Sequence, residues 1–258
     1  MSVPGADRFY FGTVLLERNR WAKGERTPTI AVSSWGRRIA EAGFDGLELW
    51  QNHALLASAA EQEALRLSPA PVALFNSYAS CENGAQAGRE RAAERALFFG
   101  AGGMKFNFGA DPARHDEYAA NARAWRARLP PAFRFLCECH PGTTLEKPAA
   151  AAATFARLGR GDYEVILHAF RGDDAEVRGW FEAHGDRITH IHADISRLER
   201  LPADAVRRRA DLLRALGFRG TLTVEFTEGV GAPDENPETL FRRAVRDLGV
   251  LRQALGAA

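Results

Sequence analysis

Four side chains suited to metal chemistry follow one another along the second half of the chain. They are two carboxylates and two imidazoles: Glu138, His168, His192 and Glu225. Each follows a short apolar run, and consecutive members are separated by roughly 30 residues, about the length of one strand-plus-helix unit. Two carboxylates that meet without a cation repel each other, whereas a divalent ion binds carboxylates and neutral imidazoles together. The sequence therefore predicts one divalent-metal site with these four residues as ligands.

The prediction rests on the joint arrangement of the four residues. A lone glutamate at the end of a strand is more often solvated or paired in a salt bridge than bound to a metal. His190 and His192 face the same side of one predicted strand, and His190 lies deeper, so we expect it to pack or to support a ligand. His140 follows Glu138 closely, and it is interpreted either as orienting Glu138, as holding substrate, or as an ordinary loop histidine.

The elements that must position these residues alternate regularly along the chain. Short apolar or aromatic runs are followed by longer segments rich in Ala, Arg, Leu and Glu at helical spacing, which is typical of repeated strand–helix units. The predicted strands are Phe9–Val14, Gly46–Trp50, Pro71–Asn76, Gly103–Phe108, Phe133–Glu138, Tyr163–His168, Ile188–His192 and Thr221–Phe226. The predicted helices are Ile30–Ala42, Leu55–Leu67, Ala85–Phe99, Asp116–Arg128, Lys147–Leu158, Ala175–His184, Ala203–Leu216 and Pro237–Leu255.

Eight such units in 258 residues, without a linker or a shift in composition, predict a single (β/α)₈ TIM barrel domain over residues 1–258. An open, doubly wound sheet is the alternative, but closure of the barrel leaves no exposed sheet edge. The reacting groups of such barrels stand at the C-terminal ends of the strands, where the four predicted ligands lie.

Composition limits the classes of partner. Lys plus Arg number 34 and Asp plus Glu 33, a net charge of +1, so we expect no nucleic-acid partner. No apolar run approaches the ~20 residues of a membrane span, and no leader pattern begins the chain. The three cysteines, Cys81, Cys137 and Cys139, cannot form a disulfide framework. Together these features favour a cytoplasmic protein that binds a small molecule, with a homo-oligomer left open.

Several segments carry a resemblance to a known group of proteins. They are residues 42–50 with His53 just after them, the turn at 138–142, residues 190–192 with Asp194, and the pair 224–225. In this order they resemble the xylose isomerase-like TIM barrel superfamily (the sugar phosphate isomerase/epimerase family). That superfamily contains sugar isomerases, ketose 3-epimerases, inosose dehydratases, dehydroshikimate dehydratases and endonuclease IV.

The resemblance implies roles for individual residues. Glu138, His192 and Glu225 would be metal ligands, and the two glutamates would also move protons. Arg197 resembles an arginine that holds substrate oxygen, at an offset one residue shorter than usual. The sixth strand departs from the family pattern, because His168 stands where the family places aspartate. Either His168 replaces that ligand or the fourth ligand is lost; replacement makes the site softer and favours Mn²⁺, Co²⁺, Ni²⁺, Fe²⁺ or Zn²⁺ over Mg²⁺.

The leading functional hypothesis is isomerisation or epimerisation of a small keto-sugar or polyol through an enediolate. His53, Asn76, Lys105 and Asn107 would hydrogen-bond the substrate hydroxyls, unless they are ordinary polar residues near strand ends. A metal-dependent dehydratase of a cyclic polyol or keto acid is one alternative, and a catalytically silent sugar-binding barrel is another. An endonuclease IV-like enzyme is disfavoured, because the chain has too few histidines for three zinc ions and no basic surface.

Overall fold

The computed structural model describes residues 8–159, 162–194 and 204–256. Within them, eight parallel strands pair in sequence order and close into a barrel, with β8 beside β1. The strands are β1 Arg8–Gly12, β2 Gly46–Trp50, β3 Val72–Asn76, β4 Gly103–Phe106, β5 Arg134–Glu138, β6 Glu164–Leu167, β7 Ile188–Asp194 and β8 Thr221–Phe226. All eight predicted strands are confirmed, and the protein is a (β/α)₈ TIM barrel.

Helices of the described residues surround the barrel. They are α1 Gly36–Glu41, α2 Gln51–Leu55, α3 Ala59–Arg66, α4 Gln86–Phe98, α5 His115–Arg126, α6 Pro148–Leu158, α7 Asp174–His184, α8 Ala205–Ala215 and α9 Pro237–Leu255. Most of the predicted helices match to within two residues. The predicted helix at 55–67 is the shorter α3, which begins at Ala59 because the Ser58 side chain accepts from the Glu61 amide, and the unpredicted α2 precedes it.

Three other elements have boundaries that differ from the predictions. Strand β1 ends at Gly12 and passes into a 3₁₀ turn at Thr13–Leu16, and β7 continues beyond His192 to Asp194. The predicted first helix is a 3₁₀ turn at Val32–Trp35 followed by the short α1. Each difference lies at an element end, where local capping outweighs the hydrophobic pattern.

The side chains inside the barrel change from apolar to polar along the barrel axis. A small apolar cluster of Tyr10, Leu74, Leu136 and Ile166 fills one level. The next inward-facing positions along β5 and β7 are Glu138 and His192, two residues after Leu136 and His190. A much larger apolar core lies between the sheet and the helices. The apolar interior cluster thus supports polar levels above it, toward the C-terminal ends of the strands.

No helix among the described residues has both the length and the apolar character required to cross a bilayer.

Candidate metal centre

The four predicted metal ligands meet inside the barrel. Glu138 ends β5, His168 follows β6 directly, and His192 and Glu225 lie near the ends of β7 and β8. One potential ligand atom from each residue lies within 4.8 Å of those from the other three. Four separate strands therefore bring together side chains that are up to 87 positions apart in the sequence. Glu138, His168 and Glu225 are called the outer cluster below.

Individual distances show how compact the outer cluster is. His168 Nε2 lies 2.9 Å from Glu138 Oε1, and His168 Nδ1 lies 3.9 Å from Glu225 Oε2. His192 Nδ1 lies 3.4 Å from Glu138 Oε1 and 3.5 Å from Glu225 Oε1. His192 is thus placed between the two carboxylates.

Three atoms of this group test whether a cation fits. His168 Nδ1, His192 Nδ1 and Glu225 Oε2 are buried and have no hydrogen-bond partner among the described residues. A buried polar atom without a partner costs roughly 1–3 kcal/mol, so such atoms need an explanation. Two carboxylates and two imidazoles form a donor set that a divalent transition metal accepts. The residues therefore fit one such ion, with His168 in the position of a fourth ligand.

Backbone packing holds Glu225 in place. A Cβ atom on Gly12 would lie 3.1 Å from Glu225 Cα, 3.1 Å from the Val224 carbonyl oxygen and 3.2 Å from Thr223 Cγ2. Only a glycine lets β1 approach β8 this closely without displacing one of these atoms. The position of Glu225 thus depends on the first strand as well as on its own.

A carboxylate that the sequence prediction did not assign to the site lies behind His192. Glu48 of β2 is buried, and its Oε1 is 3.0 Å from His192 Nε2. A histidine ligand commonly donates its other ring N–H to a carboxylate, which fixes the tautomer and ring orientation. Here that bond leaves the Nδ1 lone pair of His192 facing the outer cluster. An inward-facing glutamate in the otherwise apolar β2 was the available sequence signal.

Glu48 belongs to a hydrogen-bonded group that we call the inner cluster: Glu48, Asn76, His190, Thr221 and Thr223. Thr223 Oγ1 donates to Glu48 Oε2 at 2.6 Å, and Asn76 Nδ2 donates to Glu48 Oε1 at 2.7 Å. His190 Nε2 lies 3.0 Å from Thr223 Oγ1, and His190 Nδ1 lies 2.6 Å from Thr221 Oγ1. Burial lowers the pKa of His190 to about 4, so it is neutral near pH 7.

Charges within the site shift several pKa values. Burial alone would raise the pKa of Glu138, but Lys105, followed by His168 and His192, holds it well below its usual range. Burial likewise opposes ionisation of Glu48, yet His192 and His190 keep its pKa well below the ordinary value. Burial opposes protonation of His192, but Glu48 and Glu225 raise its pKa well above the ordinary value. The side chains of Glu138 and Glu48 are therefore both ionised near pH 7.

Lys105 and Asn107, both predicted to bind substrate, contact Glu138 instead of standing free. Lys105 Nζ donates to Glu138 Oε2 at 2.8 Å and to Asn107 Oδ1 at 2.9 Å. Asn107 Nδ2 donates to the same Glu138 oxygen at 3.2 Å. Lys105 Nζ also lies 4.3 Å from the centre of the Tyr78 ring, and burial raises the pKa of Tyr78 to about 12.

The other residues predicted to bind substrate occupy different environments. Both ring nitrogens of His53 are engaged, with Thr13 Oγ1 at 2.9 Å and Glu17 Oε1 at 2.7 Å. Asn76 is buried against Glu48. His140 is exposed, and its ring centre lies 6.1 Å from that of His168. Arg197 lies outside the described residues. Substrate contacts for these side chains stay predictions.

A cavity of about 390 Å³ opens above the outer cluster. Its lining includes the predicted Glu138, His168, Glu225, Asn107 and His140. It also includes side chains that sequence reasoning missed: Trp21, Arg26, Tyr78 and Arg171. These come from loops after β1, β3 and β6, and neither their type nor their spacing marks them in the sequence. The cavity is large enough for a small sugar or sugar acid.

Sequence comparison finds no relatives, whereas structural comparison finds many. No family model matches the chain, and no curated protein does so either. A solved xylose isomerase-like TIM barrel protein from Mycobacterium smegmatis, in complex with magnesium, is similar with a TM-score of 0.65 and 15% identity, over 96% of this chain and 97% of that chain.

Solved enzymes of different activity share the same architecture. A D-psicose 3-epimerase, determined in the presence of D-fructose, has a TM-score of 0.67 and 12% identity over 97% of this chain and 100% of that chain. The probable 3-DHS dehydratase AsbF from Bacillus anthracis has a TM-score of 0.66 and 14% identity over 94% of this chain and 98% of that chain. An endonuclease IV from Thermus thermophilus is also similar. The protein thus has the fold of the xylose isomerase-like TIM barrel proteins.

Proposed function

We propose that the protein is a divalent-metal-dependent isomerase or epimerase that acts on a small keto-sugar or polyol through an enediolate. One observation carries the proposal: Glu138, His168, His192 and Glu225 converge below a cavity, and three of their buried atoms have no hydrogen-bond partner among the described residues. A bound divalent ion supplies a Lewis acid there, which stabilises negative charge on a substrate carbonyl oxygen as a neighbouring proton leaves.

The hydrogen bonds of the two glutamates differ, and we assign them different parts in proton transfer. Both oxygens of Glu138 are held, one by His168 and the other by Lys105 and Asn107. Glu225 keeps an oxygen without a hydrogen-bond partner in the described part of the chain. Glu225 is therefore the more available base for removing a carbon-bound proton. Glu138 is ionised at rest, so in this proposal it returns a proton to the substrate after receiving one from the Lys105 ammonium that donates to it.

The cavity walls suit a hydroxylated ligand. The rings of Trp21 and Phe226 lie 5.8 Å apart at its mouth, and 63% of the Trp21 surface is exposed. Flat apolar surfaces beside polar groups are typical of sites for small polar ligands. A solved D-psicose 3-epimerase and a solved 3-keto-D-glucoside 4-epimerase share this fold, which supports such a substrate.

Exchange of a substrate proton with solvent tests the proposal before the product is known. Metal-loaded protein is incubated in D₂O with a panel of keto-sugars, and deuterium at the carbon beside the carbonyl is followed by NMR. We expect exchange with the wild type, and loss of exchange in Glu225→Gln with an unchanged melting temperature. Glu238→Gln serves as the matched control, because Glu238 is exposed and pairs with Arg38 on the surface.

The same incubation, repeated in H₂O, separates the alternatives. Epimerisation then leaves the substrate mass unchanged, whereas a dehydratase removes the mass of one water molecule. A catalytically silent barrel would show neither exchange nor metal, with less than about a tenth of an equivalent in protein purified without chelator. Unfolding of Glu225→Gln, without a change in metal content per folded molecule, would make Glu225 a structural residue and contradict the proposal.

A further inference from the structure

Three arginines line the cavity above the outer cluster: Arg20, Arg26 and Arg171. Two of them are paired with carboxylates. Arg20 Nη2 lies 2.8 Å from Glu235 Oε1, and Arg171 Nη2 lies 2.8 Å from Asp194 Oδ2. Arg26 has no carboxylate partner within the ranges that the structure describes. Among the three cavity arginines, Arg26 is thus the one whose positive charge is not neutralised by a carboxylate of the described residues.

Arg26 is nevertheless held in position. Its Nη1 donates to the Arg20 carbonyl oxygen at 2.6 Å, and its own carbonyl oxygen accepts from Asn52 Nδ2 at 2.8 Å. Its guanidinium carbon lies 5.4 Å from the centre of the Tyr78 ring. Arg26 is half-buried, whereas the residues on either side of it in the loop, Glu25 and Thr27, are exposed. The guanidinium is thus ordered without an ion pair.

The contacts leave one edge of the guanidinium available. The bond to the Arg20 carbonyl uses Nη1, and no described residue accepts from Nε or Nη2. That edge carries two parallel N–H donors, the geometry that binds a carboxylate or phosphate through two hydrogen bonds. An uncharged hydroxyl needs only one of these donors.

Tyr78 connects Arg26 to the proposed reaction centre. Its ring contacts Arg26 and Lys105, and Lys105 Nζ donates to Glu138. The Arg26 guanidinium carbon lies 5.4 Å and Lys105 Nζ lies 4.3 Å from the centre of this ring, so the two cations are no more than about 10 Å apart. A six-carbon sugar acid, with a hydrogen bond at its charged end, spans a similar length. One ligand can therefore contact the outer cluster and Arg26 together.

From these observations we propose that the substrate carries an anionic group, a carboxylate or a phosphate, which Arg26 binds. This inference rests on the proposed function for the identity of the reacting end. It narrows the substrate class from neutral keto-sugars to keto-sugar acids or keto-sugar phosphates. Arg26 is then a specificity-determining residue, separate from the proposed metal ligands.

The test compares three ligands that share a carbon chain and differ at carbon 6: D-fructose, D-fructuronate and D-fructose 6-phosphate. Binding to the full chain is measured by calorimetry with and without added Mn²⁺. We expect at least one anion to bind on the order of 10–100-fold more tightly than D-fructose, as for a hydrogen bond to a charged group. Comparing the two anions identifies carboxylate or phosphate.

Variants assign the preference to Arg26. Arg26→Met should abolish the preference for the anion over D-fructose. Arg26→Lys should keep only part of this preference, because lysine keeps the charge without the paired donors. Arg18→Met is the matched control from the same loop, where Arg18 is exposed and outside the cavity lining; it should keep the wild-type preference. Absence of binding by both anions, or a preference that survives Arg26→Met, overturns the inference.

The outcomes also separate this inference from the proposed function. If the protein holds no metal and exchanges no substrate proton, yet its anion preference depends on Arg26, the proposed function fails and the anion site stands. If metal and exchange are present while Arg26→Met changes nothing, the anion site fails and the proposed function stands.

Discussion

Both the outer and the inner cluster contain buried glutamate and histidine side chains, but the polar atoms of these side chains are satisfied in different ways. In the outer cluster, His168 Nδ1 and Glu225 Oε2 lack hydrogen-bond partners among the described residues, and His192 Nδ1 faces them unpaired. In the inner cluster, both oxygens of Glu48 and both nitrogens of His190 are hydrogen-bonded. Glu48, His190 and His192 would also be close enough together to hold an ion.

This comparison indicates that close spacing of possible ligand atoms is not enough to identify a metal site. Glu48 already has donors around it, so an ion there would have to break those hydrogen bonds. The unpaired atoms of the outer cluster would instead gain partners if an ion bound there. His192 joins the two, with Nε2 toward Glu48 and Nδ1 toward the outer carboxylates. We therefore interpret the inner cluster as the support that orients a ligand of the outer one.

The largest expected difference between the clusters is in the stability of the metal-free protein. Glu48→Ala leaves two buried histidines, Asn76 and Thr223 without their shared partner. Breaking a buried charged pair costs about 3–5 kcal/mol, which urea denaturation would measure as a loss of unfolding free energy. Glu225→Ala should cost about 1 kcal/mol or less, because one Glu225 oxygen has no hydrogen bond to lose. Equal losses in both variants would remove the distinction.

A more conservative change separates support from stability. Glu48→Gln keeps an oxygen that can accept from His192, but it removes the negative charge. Changes of this kind behind a ligand typically weaken metal binding by about 10–100-fold, and titration with Mn²⁺ or Zn²⁺ would measure this. Glu17→Gln is the matched control, because Glu17 is a buried carboxylate bonded to His53 and is not among the candidate metal ligands. Equal affinities in both variants would contradict a supporting role for Glu48.

Protons should compete with metal at His192. In the metal-free protein burial opposes its protonation, yet Glu48 and Glu225 raise the pKa of His192 well above its ordinary value. At pH values below that raised pKa, metal binding must displace the His192 proton. Metal affinity should then fall by about tenfold, or 1.4 kcal/mol, for each pH unit lowered, with the effect extending above the ordinary value of about 6.5.

Calorimetry in buffers of different ionisation enthalpy measures the protons released on metal binding. Near pH 7 we expect about one proton per ion in the wild type and fewer in Glu48→Gln, because losing the Glu48 charge lowers the pKa of His192. Metal binding without proton release in the wild type would contradict the assignment of His192 as a ligand.

The sequence singled out every residue of the outer cluster, and from the inner one it singled out His190 and Asn76 but not Glu48 or the threonines. Glu138, His168, His192 and Glu225 each follow an apolar strand, and the ends of neighbouring parallel strands meet at one end of a barrel. Glu48 also lies on a strand, but its role depends on contact across the barrel with β7, which local patterning cannot show. Arg26 was not predicted, because its position depends on the path of a loop.

The smallest expected effects concern the threonines of the inner cluster. Thr221→Val removes the hydroxyl beside His190 Nδ1, and Thr223→Val removes the donor to Glu48 Oε2. Each hydroxyl takes part in two hydrogen bonds, so each variant should lower the free energy of unfolding by about 1–2 kcal/mol. Only Thr223→Val should also weaken metal binding, by a few-fold, because Thr223 contacts the carboxylate that orients His192. If Thr221→Val weakens metal binding equally, the inner cluster acts as one unit and Glu48 is not the single point of contact with the metal centre.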